Sequence, residues 1–434
     1  MIRKSAFCLA LLCLFFSFAQ DAKRILTLEE CIEMALSRNL TVKQNQNNLL
    51  ASQSNKRQAY FNFLPNLNAT LNHSYTDGSD IVAGSVVSFT SWNGRPNISS
   101  NAILFNAFAN HHLLNRRKHE FESSRYQLED SKLAIKATVI RNYLNVLVDT
   151  ENIRISDQRL EFLEEQLGRE KKRLSVGVGS PETVYNFQSQ VATEKLTNVN
   201  ARNLYQSDLL SLLQSIQSDV YDGVALQPLN VNEVDILIDY DEYNVVLADI
   251  MAYSFSLKSA EESEVAAKSQ LRQVRASRYP TLSVFGQHAR NYSNQEDIDY
   301  FDQINNLPTD FVQASLSIPI FNRYQTQNNI DNTKVVMLNT RLQKDQTILD
   351  VTNAAQRDYL DLVAAQTSYE TAIENFEALN QTFEFIKKRF ETGNTDFYTY
   401  LESLNNKNRA EAQLINAKYT IILRKQILDL YRGK

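Results

Sequence analysis

The sequence predicts a mainly α-helical protein with a β portion suited to a membrane, built from one helix–strand–strand–long helix–tip–helix unit given twice. Three observations carry this. The first is a duplication. Phe321-Asn322, Arg357-Asp358-Tyr359-Leu360, Lys387-Lys388-Arg389 and Gly393 recur 216 positions earlier as Phe105-Asn106, Arg141-Asn142-Tyr143-Leu144, Lys171-Lys172-Arg173 and Gly177. The offset holds without a gap, and so long a period means two halves of one architecture. The second is an absence of helix breakers. Between Phe105 and Gly177 there is only Gly168 and no Pro, and between Phe321 and Gly393 there is neither. Uninterrupted spans of about 65 residues make helices near 100 Å long at ~1.5 Å per residue. The third is a period-two pattern placed before each long helix and behind an export signal.

That signal opens the chain. Arg3 and Lys4 precede an apolar run from Ala6 to Phe16, followed by the small-x-small triplet Ser17-Phe18-Ala19. Residues 1–19 read as a signal peptide cleaved after Ala19. Leu12 precedes Cys13, where lipid attachment needs a small residue, so no lipid anchor is expected. Removing Arg3 and Lys4 takes the formal net charge from −5 to −7, and this mild acidity argues against nucleic acid as a partner. Cys31, on the apolar side of the first helix, reads as a packed thiol.

Residues 20–219 read as the first repeat, 220–243 as a linker and 244–434 as the second repeat. Thr27 and Glu30 form a capping box for a helix running to about Phe63, before Pro65. The period then changes. Over Asn66–Thr76 one face reads Leu67, Ala69, Leu71, His73 and Tyr75, and the other is Asn, Thr and Ser. About 11 residues of such alternation is the length of a tilted membrane strand. Strand four, at about 311–320, alternates Val312, Ala314, Leu316, Ile318 and Ile320 with polar residues. Strands at about 98–105 and 280–291 complete the set, with polar loops over 77–97 and 293–310. The long helices carry two apolar stripes, for example Ile135, Val139, Tyr143 and Val146 beside Ile140, Leu144 and Leu147, as in a wall of helices. They break at Gly177 and Gly393, and return helices run over about 182–218 and 397–431. The acidic linker has room for one short strand, Asp235 to Tyr240.

With its order of elements, the chain resembles the outer membrane efflux proteins, the TolC-like channels. The marks are Leu28-Glu29-Glu30 with Ala35-Leu36, Phe63-Leu64-Pro65-Asn66-Leu67, Tyr279-Pro280-Thr281-Leu282 and Arg389-Phe390-Glu391-Thr392-Gly393. The resemblance implies a homotrimer in which four strands per chain close a 12-strand β-barrel in the outer membrane of a Gram-negative, Sec-exporting cell. The long helices would form a periplasmic α-helical barrel. It implies a periplasmic adaptor at the tips, here Val176, Gly177, Val178, Gly179 and Ser180 in the first copy and Thr392, Gly393, Asn394 and Thr395 in the second. An inner-membrane pump would connect through that adaptor. The family often places acids six and nine residues past the second tip glycine. Those positions are Thr399 and Glu402, so one acid survives. Glu402, with Thr399 and Asp396, is the gate candidate.

No catalytic constellation emerges. Glu29-Glu30 and Glu164-Glu165 are adjacent and face different sides of a helix. Gly177-Val178-Gly179-Ser180 lacks the lysine of a phosphate loop. His73, His111, His112, His119 and His288 include no i, i+4 pair, so no metal site is expected, nor any cofactor. The favoured function is a passive exit duct, and the alternative is a periplasmic structural coiled coil without a pore.

Overall fold

The computed structural model describes residues 24–218, 223–229 and 241–434. The expected signal peptide and the expected strand from Asp235 to Tyr240 lie outside the described residues. The chain divides into two units. One runs up to Asn45 and over Leu128–Phe255 and Leu349–Lys434, and the other covers Gln46–Gln127 and Ser256–Ile348.

The chain opens with β1 (Arg24–Leu26), α1 (Leu28–Arg38) and α2 (Leu40–Phe61). The capping box is present: Glu30 N donates to Thr27 Oγ1 at 3.1 Å and Thr27 N to Glu30 Oε2 at 3.0 Å. The single helix expected up to Phe63 is broken at Asn39. Its side-chain oxygen accepts from Thr41 N at 2.8 Å and Val42 N at 3.3 Å, giving the second segment its own N-cap.

The first repeat continues with β2 (Asn68–Thr70), β3 (His73–Val82), β4 (Ser85–Gly94), β5 (Asn97–Phe105), α3 (Ala109–Ser175) and α4 (Pro181–Ser215). After β6 (Val224–Leu226) the second supplies α5 (Tyr243–Tyr253), α6 (Phe255–Ala276), β7 (Thr281–Arg290), β8 (Tyr292–Ser293), α7 (Tyr300–Asn306), β9 (Pro308–Ser317), α8 (Gln325–Glu391) and α9 (Phe397–Arg432). Each long helix has 67 residues.

The strand expected at 66–76 is corrected: it breaks at Leu71 and Asn72. Only Asn68–Thr70 pair with β5, whose start is set by Pro96, a residue with no N–H for the ladder. Beyond the break, β3 finds ten partners in β4, so the loop expected over 77–97 is mostly a hairpin. Its turn is Ala83-Gly84, at φ 51° and 84°. Two consecutive positive φ angles match the twist of the flanking strands. Strand four ends at Ser317 instead of about 320, with Pro319 just beyond it.

The duplication is also visible in the backbone. Ala107 and Phe108 take φ of 50° and 64°, and their counterparts Arg323 and Tyr324 take 53° and 66°. A non-glycine pair in this region is strained, and the same corner turns strand into long helix in both copies. Asn106 and Asn322 cap the following helix, each through its side-chain oxygen at 3.4 Å from a backbone N–H. This accounts for the asparagine that precedes the long helix in both repeats.

In the first unit the core gathers Cys31, Tyr143, Leu144, Leu212, Ile216, Leu362 and Ile421. β1 and β6 pair in parallel. The Tyr143 hydroxyl donates to Gln227 O at 2.6 Å and lies 3.1 Å from Leu26 O, tying α3 to both short strands. Burial pushes that phenol up to about 12, so it remains a donor.

Asp149 is a buried exception, with Oδ2 free of any hydrogen bond. Burial first, then the charge of neighbouring Asp208 on α4, push its carboxyl from 3.8 up to about 7. The folded chain holds this proton more tightly than the unfolded chain. Stability from this group is therefore greatest at low pH, falls as pH rises from 3.8 to about 7, and is flat above. Asp149→Asn should raise the melting temperature of the detergent-solubilised protein at pH 8 and leave it near wild type in acid. An equal shift at both pH values would contradict this assignment.

Candidate pore wall and tip hairpins

In the second unit, β2, β5, β7 and β9 form one antiparallel sheet in that order. Its register separates two faces. Leu282 opposes Leu316, Val284 opposes Ala314 and Gly286 opposes Val312. Across the other edge of β7, Val284 opposes Ala102, and Ala69 on β2 opposes Ile98. These residues share a side, because directly opposed residues point the same way. The alternate set is Ser283 with Ser315, Phe285 with Gln313, Gln287 with Ser99, and Thr70 with Asn97. The first face is mainly aliphatic, with Ser100 opposite Gly286 and the His288–Asp310 pair one step further on, and the other is dominated by hydroxyls and amides apart from Ile103, Ala289 and the Phe285–Phe311 ring pair. The alternation in the sequence puts Leu67, Ala69 and Leu71 on one strand face, and Val312, Ala314, Leu316, Ile318 and Ile320 on another. The register unites the β2 and β9 patterns where they lie in strands, while Leu71 falls at the break.

All ten residues of β9 are exposed, and its outer edge has no partner strand among the described residues. A second sheet, β3-β4-β8, is braced by buried Gln303 of α7. Its amide donates to Ser293 O at 2.9 Å and Ile298 O at 2.7 Å, and its oxygen accepts from Ser293 N. The two strand histidines have different neighbours. His73 stacks on Tyr292, and His288 Nδ1 lies 2.5 Å from Asp310 Oδ1.

The tips belong to the first unit. After α3, Gly177 takes φ 80° and Val178 N returns to Arg173 O at 3.0 Å. After α8, Gly393 takes 77° and Asn394 N returns to Arg389 O at 2.8 Å. Both are left-handed helix ends of the kind glycine provides. Gly179 has a different constraint: a Cβ there would sit 2.6 Å from Leu174 N. Ser180 and Asp396 cap the return helices, through Glu182 N at 3.2 Å and Thr399 N at 2.9 Å.

These contacts sort the gate candidates. Asp396 accepts from both the Thr399 hydroxyl (2.7 Å) and its N–H, and the hydroxyl contact most of all holds its carboxyl below the usual range. Asp396 and Thr399 are therefore engaged with each other in a cap. Glu402, two turns on, is exposed and has no ion-pair partner among the described residues. Tyr398 shares its helix face at i−4, and the Tyr398 hydroxyl donates to Glu182 Oε1 at 3.3 Å. Glu182 and Tyr398 are duplicate positions, and sequence reasoning missed both. The offset of 216 between partners was the available signal.

Beneath the tips, Phe187, Phe383, Phe397, Tyr400, Leu163 and Leu404 form a second core. Phe390 and Tyr400 stack at 4.6 Å and 18°. The Tyr400 hydroxyl is buried with no hydrogen-bond partner, and burial pushes its pKa far up.

An antiparallel membrane sheet with one lipid-compatible face, joined in duplicate to long helical hairpins, defines a TolC-like outer membrane channel. The chain belongs to the outer membrane efflux protein family, whose model matches residues 31–216 and 246–433. It is 20% identical over 306 residues to outer membrane protein TolC of Escherichia coli, covering 69% of this chain. The chain spans 60% of the length of that relative. Crystal structures share the fold. The outer membrane protein VceC of Vibrio cholerae superposes with a TM-score of 0.79 at 13% identity, covering 94% of this chain and 96% of VceC. A CusC structure gives 0.81 at 13% identity, covering 93% and 91%.

Two substitutions test this geometry. Leu316→Arg should depress the yield of folded protein in the outer membrane far more than Ser315→Arg, because arginine facing mid-bilayer lipid costs ~2–4 kcal/mol. Equal yields would reverse or abolish the facing. Tyr400→Phe removes a hydroxyl that bonds nothing, and should leave thermal stability unchanged or raise it by up to ~1–3 kcal/mol. A clear loss would mean that the hydroxyl has a partner.

Proposed function

We propose that the chain is the exit duct of a tripartite efflux or type I secretion system, conducting substrates passively to the exterior. Three copies supply four strands each to a 12-strand barrel in the outer membrane, and their helices enclose a tunnel in the periplasm. A periplasmic adaptor engages the tips and links them to an inner-membrane pump. The open edge of β9, on a sheet with one aliphatic face, carries this reading. Four strands cannot close on themselves, and lipid offers no partner for their free N–H and C=O groups. A poreless periplasmic coiled coil has no use for such a sheet.

In this assembly Glu402 faces the tunnel near its periplasmic mouth, where three copies make a carboxylate ring that favours cations. The detergent-extracted protein should run as a trimer and give conductance steps in planar bilayers. A monodisperse monomer in buffer without detergent would sink the proposal. Glu402→Gln should weaken cation preference without changing trimer yield. An unchanged reversal potential under a salt gradient would mean that Glu402 faces away from the tunnel.

A further inference from the structure

The four places where helix meets strand share a charge pattern that the transport reading does not use. They are Ser54–Asn66, Leu104–His119, Ser269–Thr281 and Ser317–Ile330. Together they hold nine Lys and Arg and not one Asp or Glu, in a chain that has 45 basic and 50 acidic residues. Each junction also exposes an aromatic ring: Phe61 is 60% exposed, Phe108 68%, Tyr279 59% and Tyr324 66%. Exposed aromatics at strand ends are the interfacial girdle of a membrane barrel. The basic residues lie on the helix side of that girdle.

Some of these cations are engaged within the chain. Lys56 Nζ lies 4.3 Å from the centre of the Phe121 ring, and Lys118 lies 5.7 Å from that of Tyr60. Arg116 and Arg117 both reach Glu120, at 3.2 and 2.7 Å. Arg278 donates to Gln327. Arg57, Arg272, Arg275 and Arg323 are different: all four are exposed, and none has an acidic partner among the described residues. Arg57 and Phe61 share a helix face at i, i+4, and Arg272 and Arg275 share one at i, i+3. Arg57 stands four residues from Phe61 and Arg275 four from Tyr279, about 6 Å at helical rise, while Arg323 adjoins Tyr324 and Arg272 lies about one turn beyond Arg275. A rise of about 6 Å is close to the depth of the headgroup layer on one side of a bilayer, roughly 5–7 Å. His112 is held below the ordinary imidazole value by burial, then by His111 and Arg272.

We propose that these four arginines form a belt that binds the phosphate of anionic phospholipid headgroups in the periplasmic leaflet, just below the aromatic girdle. Guanidinium suits the task, because its planar fork matches phosphate oxygens in pairs. The belt would orient each chain against the leaflet and fix how deep the sheet sits. The inference rests on the outer-membrane reading above, and trimer yield and bilayer conductance test that reading separately.

The experiment titrates the purified trimer in non-ionic detergent with phosphatidylglycerol or with phosphatidylethanolamine, and counts retained lipids by native mass spectrometry. The wild type should retain phosphatidylglycerol preferentially, by about fivefold per engaged arginine, the equivalent of ~1 kcal/mol each. The quadruple variant Arg57→Gln, Arg272→Gln, Arg275→Gln, Arg323→Gln should bind both lipids alike while remaining trimeric and conducting. The corresponding four lysine substitutions should keep most of the preference. If the wild type shows no preference, the belt faces something other than anionic lipid, such as an acidic protein surface, and the proposal fails. It fails equally if the glutamine variant keeps the preference.

Discussion

The unpaired backbone edge of β9 is the constraint on which the rest depends. Along its outer edge the backbone N–H and C=O groups of this exposed strand have no partner strand among the described residues. In water such an edge invites aggregation, and in hydrocarbon it is prohibitively costly. Only a further strand can satisfy it, and three-residue β2 at the opposite side of the same sheet is the complementary edge another copy would bring. The same logic accounts for apolar residues that find no cover within one chain. Leu196, Val199 and Leu204 on α4, and Val335, Val336 and Leu342 on α8, are exposed. In the proposed trimer they would be the surface that one protomer presents to its neighbours.

The two copies reach one backbone through different side chains. The corner angles at Ala107-Phe108 and Arg323-Tyr324 agree to within a few degrees, as do Gly177 and Gly393. The chemistry around them has diverged. Asp149 and Asp208 form an acidic pair on α3 and α4. Their counterparts are Ala365 and Arg424, and Arg424 pairs with Asp361 at 3.0 Å. Ser180 caps one return helix where Asp396 caps the other. The two halves keep one backbone geometry while their charge pairing differs.

Much of this was legible in the sequence because it rests on strong local signals. The capping box at Thr27, the left-handed glycines of the tips and the alternation of β9 are determined within a few residues. What was missed depends on partners distant in sequence. The break at Leu71-Asn72 cannot be read from an alternation that continues through it. It arises because β4 offers ten pairing positions and β5 stops at Pro96. The cap formed by Asp396 and Thr399 was hidden because both residues were weighed as tunnel groups. The Tyr398–Glu182 contact needed the two hairpins side by side.

The most direct measurement is a cross-link across the open edges. Thr70 on β2 and Thr309 on β9 lie at one level of the sheet, linked through Asn97 and Ala289. Within a chain they are three strand steps apart, about 14 Å at ~4.8 Å per step. Cysteines at both positions in a Cys31→Ala background, treated in native outer membranes with a bismaleimide shorter than that span, should give dimers and trimers and nothing larger. Cross-linking that stops at monomer, or a ladder that continues past three, would show that copies of this chain do not close the sheet into a ring.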